Sequence, residues 1–206
     1  MATTYKTAYL QLYNFLSLLA WFAVLVRVVL ITQVAGWRHV YEVNEEFVRW
    51  TQSAMMLEIG HVLFGFVRSA LLTTLIQIGS RILLVWPIAY WIPSATSTNP
   101  FYVTMLLAWS ITEVVRYAYF VFQLSGRGVP GFIQGLRYNT FFILYPLGIV
   151  SECACIYSAI ADAGNLHPAL PAALYAILAI YVPGSYVMYT HMMKQRRKAA
   201  RGKQKI

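Results

Sequence analysis

The sequence predicts an all-α fold: a polytopic membrane protein built as a bundle of six transmembrane helices with both termini in the cytosol. Hydrophobic residues make up 59% of the chain and charged residues 11%, whereas a soluble domain carries about 25% charged residues. A chain of 206 residues accommodates six spans of about 20 residues each, joined by short loops. We therefore expect a single transmembrane domain over residues 1–206, of which residues 193–206 form a basic cytosolic tail.

Each predicted helix is a long apolar stretch between polar or helix-breaking segments. The stretch 52–92 is too long for one crossing and is expected to hold two. Pro183-Gly184 predicts a kink in the last helix. The predicted helices cover about residues 10–34, the two spans within 52–92, then 101–124, 138–160 and 170–193.

The connections between these helices follow from polar residues, glycines and prolines. Residues 36–50 carry five charged side chains and are expected to form a polar loop. The turn between the second and third helices is expected at Arg68-Ser69 or at Thr73-Thr74. Segments 93–100 and 125–130 contain the prolines that end the third and fourth helices.

The distribution of positive charge sets the expected orientation. The net charge is +9, and the loop between helices four and five adds Arg127 and Arg137, whereas the loop after helix five holds only Asp162. Cytoplasmic segments of membrane proteins are enriched in Lys and Arg, so the tail and this loop are expected in the cytosol. No basic face interleaved with aromatic residues accompanies the tail, so we expect no nucleic-acid partner. The basic residues of the tail are Lys194, Arg196, Arg197, Lys198, Arg201, Lys203 and Lys205.

Several ionisable residues fall within the predicted spans, where each needs a partner or a function. Glu58 and His61 are three residues apart on one helix face, as are Glu113 and Arg116. Either pair could hold the bundle together or contribute to a substrate cavity, and the sequence leaves both interpretations open. The full set is Arg27, Glu58, His61, Arg68, Arg81, Glu113, Arg116 and Glu152.

Glu152 differs from the others because no basic residue lies near it on its own helix. Tyr145 is seven residues away, close to two helical turns, so the two side chains share a face about 10 Å apart along the axis. Gly148 lies between them on that face and leaves a notch, and Pro146 is expected to bend the helix locally. The notch could receive a substrate chain, or Glu152 could be a protonated structural residue.

Two other classes of membrane protein fit the sequence poorly. A transporter built from inverted repeats is not indicated, because the chain contains no internal repeat. A metal-dependent desaturase or hydroxylase needs clustered histidines, but the four histidines are scattered, so we expect no metal site. Cys153 and Cys155 are one residue apart and are expected to stay reduced.

Several motifs in order along the chain resemble the very-long-chain (3R)-3-hydroxyacyl-CoA dehydratases, the family of the plant PASTICCINO-type and animal tyrosine-phosphatase-like membrane proteins. The main signature is residues 136–138 followed by FILYPLGI at 142–149 and Ser151-Glu152. The supporting stretches are residues 57–69, with Glu58, His61, Gly65 and Arg68, then QIGSR at 77–81, WSITE at 109–113 with Arg116-Tyr117, and residues 180–189.

This resemblance implies an activity and its site residues. The family removes water from a (3R)-3-hydroxyacyl-CoA to give a trans-2-enoyl-CoA, the third step of very-long-chain fatty-acid elongation, in the endoplasmic reticulum membrane and without a cofactor. Its catalytic Tyr and Glu fall on Tyr145 and Glu152, with either one able to act as the base. The expected partners are the substrate, membrane lipid and the other elongation enzymes, namely the elongase and the ketoacyl and enoyl reductases.

We expect five further residues to bind substrate. Gly148 provides the notch, and Arg116 and Tyr117 are candidates for the cavity wall. Arg137 with Tyr138 lies where the CoA phosphates would arrive, and Arg127 or the basic tail could hold these phosphates instead. The other function to be weighed is a non-catalytic lipid-binding scaffold of the elongase complex. Phosphatase activity is excluded, because the H-C-x-x-G-x-x-R pattern needs a cysteine nucleophile and Val62 occupies that position after His61.

Overall fold

The computed structural model describes residues 2–69 and 71–203, and these residues are almost entirely helical. A 3₁₀ turn, Trp37–His39, precedes the second helix, and a π-helical segment, Leu84–Tyr90, extends the fourth. The α-helices of the described residues are α1 Ala2–Val34, α2 Val40–Ala54, α3 Leu57–Leu63, α4 Leu71–Leu83, α5 Ser94–Ser97, α6 Pro100–Leu124, α7 Gly131–Asn139, α8 Phe141–Leu166 and α9 Leu170–Lys203.

Five helical segments of the described residues are long and apolar enough to cross a membrane, which identifies a multi-pass membrane protein. They correspond to five of the six predicted spans. The sixth, expected over the first part of 52–92, is not among them, because the chain there forms the end of α2 and the short α3. The five segments are Tyr5–Val34, Leu71–Tyr90, Pro100–Leu124, Phe141–Leu166 and Leu170–Arg197.

Two predicted loops are helical instead. The prediction of a polar loop over residues 36–50 was wrong, because α2 occupies most of it. Val40, Asn44, Val48 and Gln52 recur every four residues and are buried on one face, with Arg49 buried beside Val48. Glu42 and Glu46 are exposed, as in an amphipathic helix. Between the fourth and fifth predicted helices, α7 also forms, and only Thr140 separates it from α8.

The predicted turns and ends agree more closely with the structure. After α3 the chain turns at Gly65, whose φ of 68° is a left-handed conformation suited to glycine, so Arg68-Ser69 lies in the connection to α4. Thr73-Thr74, the other place expected for the turn, lies within α4 instead. Helix α6 begins at Pro100, and the Asn99 side chain caps it by accepting a hydrogen bond from the Phe101 amide at 3.0 Å. Pro183 lies inside α9, which continues to Lys203, so the described part of the basic tail is helical.

Helix α1 packs mainly along α6, which in turn packs on α8 and α8 on α9. Trp21, Val24 and Val28 of α1 are fully buried, and their i, i+3, i+7 spacing places them on one stripe of the helix. This stripe joins a core that includes Tyr102 and Leu106 of α6.

The segment α2–α3 returns antiparallel along α1. Near the start of α1, the Tyr9 hydroxyl lies 2.9 Å from His61 Nε2, and near its end Arg27 Nε donates to Asn44 Oδ1 at 3.1 Å. We call the end of the bundle that holds Arg68, Arg137 and Arg196 the basic end. There Arg196 of α9 donates to Asn139 of α7 at 3.2 Å, which ties the two helices together.

Candidate active site

A cavity of about 1130 Å³ runs from the basic end into the bundle. Its walls are mostly apolar and come from α1, α3, α4, α6, α7, α8 and α9. At the basic end it is lined by Arg68, Arg137 and His191, and deep in the bundle it ends beside Ala108 and Glu152. This position gives an elongated ligand access from one surface of the molecule to the buried carboxyl group.

Glu152 and Tyr145 both line this cavity from α8. Glu152 is 9% exposed, and its two oxygens accept hydrogen bonds from different helices: Oε1 from Trp109 Nε1 of α6 at 2.8 Å, and Oε2 from the Tyr181 hydroxyl of α9 at 2.9 Å. Both donors are uncharged, and among the described residues no cation forms an ion pair with this carboxyl group. The half-buried Tyr145 donates its hydroxyl to the Ser185 carbonyl of α9 at 3.0 Å.

Gly148 lies between these two residues and faces α6. A Cβ atom there would lie 3.8 Å from Ala108 Cβ and 4.0 Å from Glu152 Oε1, which is ordinary contact with no clash. A larger side chain would occupy the space between the phenol and the carboxyl group. The glycine therefore keeps the notch open.

A buried network of four charged residues lies beside the site. Glu113 is fully buried and bridges two cations, Arg81 and Arg116, at 2.5 Å each. Arg116 also forms a bidentate pair with Glu58 of α3, with both N–O distances 2.7 Å. Two carboxylates thus balance two guanidinium groups, as burial in a low-dielectric interior requires.

The sequence left open whether the pairs Glu58–His61 and Glu113–Arg116 hold the bundle together or contribute to a cavity, and the network answers this question. Glu113 and Arg116 do pair, but Glu58 pairs with Arg116 across helices, while His61 contacts Tyr9. Glu58, His61 and Arg116 also line the cavity. These residues therefore join α3, α4 and α6 and shape the cavity as well.

The expected substrate-binding residues separate into two groups. Arg116, Arg137, Tyr138 and Gly148 line the cavity. Tyr117 does not; its ring is fully buried, and its hydroxyl donates to Glu58 Oε1 at 2.6 Å, so it orients that carboxylate instead.

Arg137 of α7 is positioned by aromatic rings near the mouth of the cavity. Its guanidinium carbon lies 4.2 Å from the centroid of the Tyr119 ring and 4.7 Å from that of Phe120. Burial lowers the pKa of the Arg137 guanidinium from its ordinary value, yet an arginine retains its charge in proteins. Arg127 lies outside the cavity wall and is exposed.

Sequence reasoning missed the donors that hold Glu152. Trp109 and Tyr181 come from α6 and α9, 43 and 29 residues from Glu152 in sequence, and helical spacing along α8 contains no information about them. Arg81 of α4 lies over the Trp109 ring, 5.0 Å from its centroid. A signal was present, because Arg81, Trp109 and Tyr181 all occur in the stretches that carry the family resemblance.

Comparison with known proteins agrees with that resemblance. A family model described as "Protein tyrosine phosphatase-like protein, PTPLA" matches residues 52–202. A Schizosaccharomyces pombe protein named "Probable very-long-chain (3R)-3-hydroxyacyl-CoA dehydratase" is 42% identical over 98% of this chain and 97% of its own length. The Arabidopsis thaliana dehydratase PASTICCINO 2 is 40% identical over 94% of this chain and 93% of its own. A Caenorhabditis elegans dehydratase, hpo-8, is 34% identical over 94% of this chain and 95% of its own. No solved structure matches the chain significantly.

Proposed function

The chain belongs to the protein tyrosine phosphatase-like PTPLA family, and we propose that it removes water from very-long-chain (3R)-3-hydroxyacyl-CoA to give trans-2-enoyl-CoA. Full-length relatives carry the name of this dehydratase. The observation that carries the proposal is the arrangement of Tyr145 and Glu152 on either side of the Gly148 notch, inside a cavity that reaches the basic end. This reaction is the dehydration step of fatty-acid elongation.

The chemistry needs a base for the proton on C2 and an acid for the hydroxyl that leaves C3. In the first assignment Glu152 takes the C2 proton, the C3–O bond breaks, and Tyr145 gives its proton to the departing oxygen, which leaves as water. Transfer of the proton from Glu152 back to Tyr145 then restores both groups. The reverse assignment satisfies the same geometry with the two roles exchanged.

The residues around Glu152 support this chemistry through their placement. Trp109 and Tyr181 fix the Glu152 carboxyl group, and Arg81 packs on the Trp109 ring. A group held in one orientation needs no reorganisation when charge develops on the substrate. Arg137 lies near the mouth of the cavity, where it provides positive charge for the CoA phosphates. Arg116, which is paired with Glu58 and Glu113, forms part of the cavity wall.

The proposed topology has six traverses of the membrane, with both termini cytosolic. The antiparallel course of α2–α3 along α1 supports a sixth traverse, although this segment is more polar than the five apolar spans. The basic end supports the cytosolic assignment through the positive-inside rule. The whole chain, residues 1–206, then acts as one dehydratase unit.

The proposed cellular setting is the endoplasmic reticulum membrane, with the protein in contact with membrane lipid and with the elongase and the ketoacyl and enoyl reductases. The family resemblance supports this setting. It also fits the chemistry, because the hydroxyacyl-CoA must come from a ketoacyl reduction and the enoyl-CoA must be reduced in turn.

The direct test is to incubate the purified protein with a long-chain (3R)-3-hydroxyacyl-CoA and to measure enoyl-CoA by mass spectrometry. The (3S) epimer is the matched control, because it presents the hydroxyl to the other face. Formation of enoyl-CoA from the (3R) epimer alone is expected. A well-folded protein that forms none from either epimer would favour the lipid-binding scaffold.

A further inference from the structure

The floor of the cavity is closed. Its deepest lining residues include Leu83, Ala108 and Glu152. About one helical turn further into the bundle, Met105, Cys155 and Ile156 are at most 1% exposed, and Leu84, which follows Leu83, is fully buried. These side chains belong to one close-packed core, so a ligand cannot continue along the bundle axis beyond Glu152.

This closure poses a problem for a long acyl chain. From Phe141, at the start of α8, to Glu152 the helix rises by about 16 Å, a length that the extended pantetheine arm of CoA would fill. With the reacting carbons at Tyr145 and Glu152, the rest of the acyl chain would meet the floor at once. The chain must therefore leave the cavity sideways.

The wall between α4 and α9 provides such an exit. Helix α4 packs against α3 and α2, and α9 against α8 and α7, but in the described part of the chain α4 and α9 make no extensive contact with each other. They approach near the floor, where Ser80 of α4 lies close to Tyr181 of α9. Residues of both helices line the cavity on either side of this point.

The rim of this gap is apolar and faces outward. Leu75 and Ile76 of α4 and Ile180 of α9 line the cavity, yet they are 42%, 37% and 65% exposed. All three belong to membrane-spanning segments, so the surroundings they face are lipid hydrocarbon. A side opening with such a rim is compatible with an alkyl chain and incompatible with a charged group.

We propose that the acyl chain beyond the reacting carbons passes between α4 and α9 into the bilayer, while the CoA head stays at the basic end. The inference rests on the proposed dehydratase function. The α4–α9 opening is then the feature that allows very long acyl chains to bind, because the cavity does not have to enclose them.

A photoreactive substrate analogue tests the path of the chain directly. The probe is a long-chain 3-hydroxyacyl-CoA with a diazirine at the methyl end, irradiated with the full-length protein in lipid nanodiscs and mapped by peptide mass spectrometry. Adducts on the rim, at Leu75, Ile76 or Ile180, or on the surrounding lipid are expected. Adducts on the floor residues Leu83 or Ala108 would overturn the proposal.

Narrowing the opening provides a second test. A Cβ atom on Gly79 of α4 meets no atom within 4 Å, and the same is true of Gly135 on α7, which is not on the cavity wall. Gly79→Leu is expected to lower kcat/KM for a long-chain substrate by at least about tenfold, because an inserted side chain obstructs an apolar channel. A short-chain substrate that ends inside the cavity should keep its kcat/KM, and Gly135→Leu should affect neither.

Equal losses for short and long substrates in Gly79→Leu, or no loss for either, would contradict the lateral path. Failure of the proposed function has a different signature, because the unmodified protein would then dehydrate no substrate of any length. The crosslinking experiment still locates a bound acyl chain in that case, because it requires the analogue to bind but does not require turnover.

Discussion

At the scale of single residues, the carboxyl group of Glu152 depends on two neutral donors from other helices. Tyr181→Phe removes the hydroxyl that binds Oε2 and keeps the ring, so the packing of α9 is preserved. A hydrogen bond to a charged group contributes about 1.5–3 kcal/mol, and we expect kcat to fall by roughly 10- to 100-fold. Steady-state kinetics of the purified variant measure this.

The matched control for this prediction is Tyr175→Phe, an exposed tyrosine on the same helix, which should leave kcat unchanged. An unaltered kcat in Tyr181→Phe would mean that the hydrogen bond does not hold Glu152 in its reactive position. Loss of folded protein in Tyr181→Phe but not in Tyr175→Phe would indicate a structural role instead.

Helical periodicity predicted only the part of the site that lies on one helix. Tyr145, Gly148 and Glu152 share a face of α8, and helical periodicity places them together. Periodicity does not reach from α8 to Trp109 or Tyr181, because those contacts depend on how α6 and α9 pack. For the same reason it did not reveal that the Tyr117 hydroxyl donates to Glu58 and that Tyr117 itself does not line the cavity.

At the scale of helices, Glu113 joins α4 to α6 by bridging Arg81 and Arg116. Glu113→Gln keeps the shape of the side chain but leaves the two cations with one carboxylate fewer. Breaking a buried ion pair costs about 3–5 kcal/mol, so the variant should unfold at a clearly lower temperature. Thermal unfolding in detergent, followed by size-exclusion chromatography, measures the shift.

The control for Glu113→Gln is Glu42→Gln, which removes an exposed contact between Glu42 and His39. A surface pair contributes at most about 1 kcal/mol, so this variant should unfold with the parent. Equal unfolding temperatures for Glu113→Gln and the parent would contradict the role of these ion pairs in holding α4 to α6.

Helix prediction succeeded for five of the six expected spans and failed where a helix is amphipathic. Five apolar stretches gave helices near their expected bounds. Helix α2 contains Glu42, Glu45, Glu46 and Arg49, and this charge suggested a loop. Its buried face holds Asn44 and Gln52 beside Val40 and Val48, so the apolar stripe that normally signals such a helix is half polar.

At the scale of the whole molecule, the proposed six traverses place both termini on one side of the membrane. An N-glycosylation acceptor, Asn-x-Ser/Thr, introduced between α8 and α9 at residues 167–169 should be modified when the protein is made in the endoplasmic reticulum. The same acceptor appended to either terminus should remain unmodified. Gel mobility before and after glycosidase treatment measures both results.

Modification at one terminus would contradict this topology, because an odd number of traverses would then be required. The segment α2–α3 would in that case lie at one membrane surface. Glycosylation of both termini, but not of residues 167–169, would be consistent with an even number of traverses. It would invert the orientation inferred from the basic end.

The most direct test of the central claim compares dehydration of a long-chain (3R)-3-hydroxyacyl-CoA by the parent, Tyr145→Phe and Glu152→Gln. Proton transfer by a positioned side chain contributes about 10²- to 10⁴-fold to a rate, so each variant should lose at least about 100-fold in kcat while keeping the unfolding temperature of the parent. Such a result would identify both residues as the acid–base pair. Turnover at the parental rate in either variant would contradict the account.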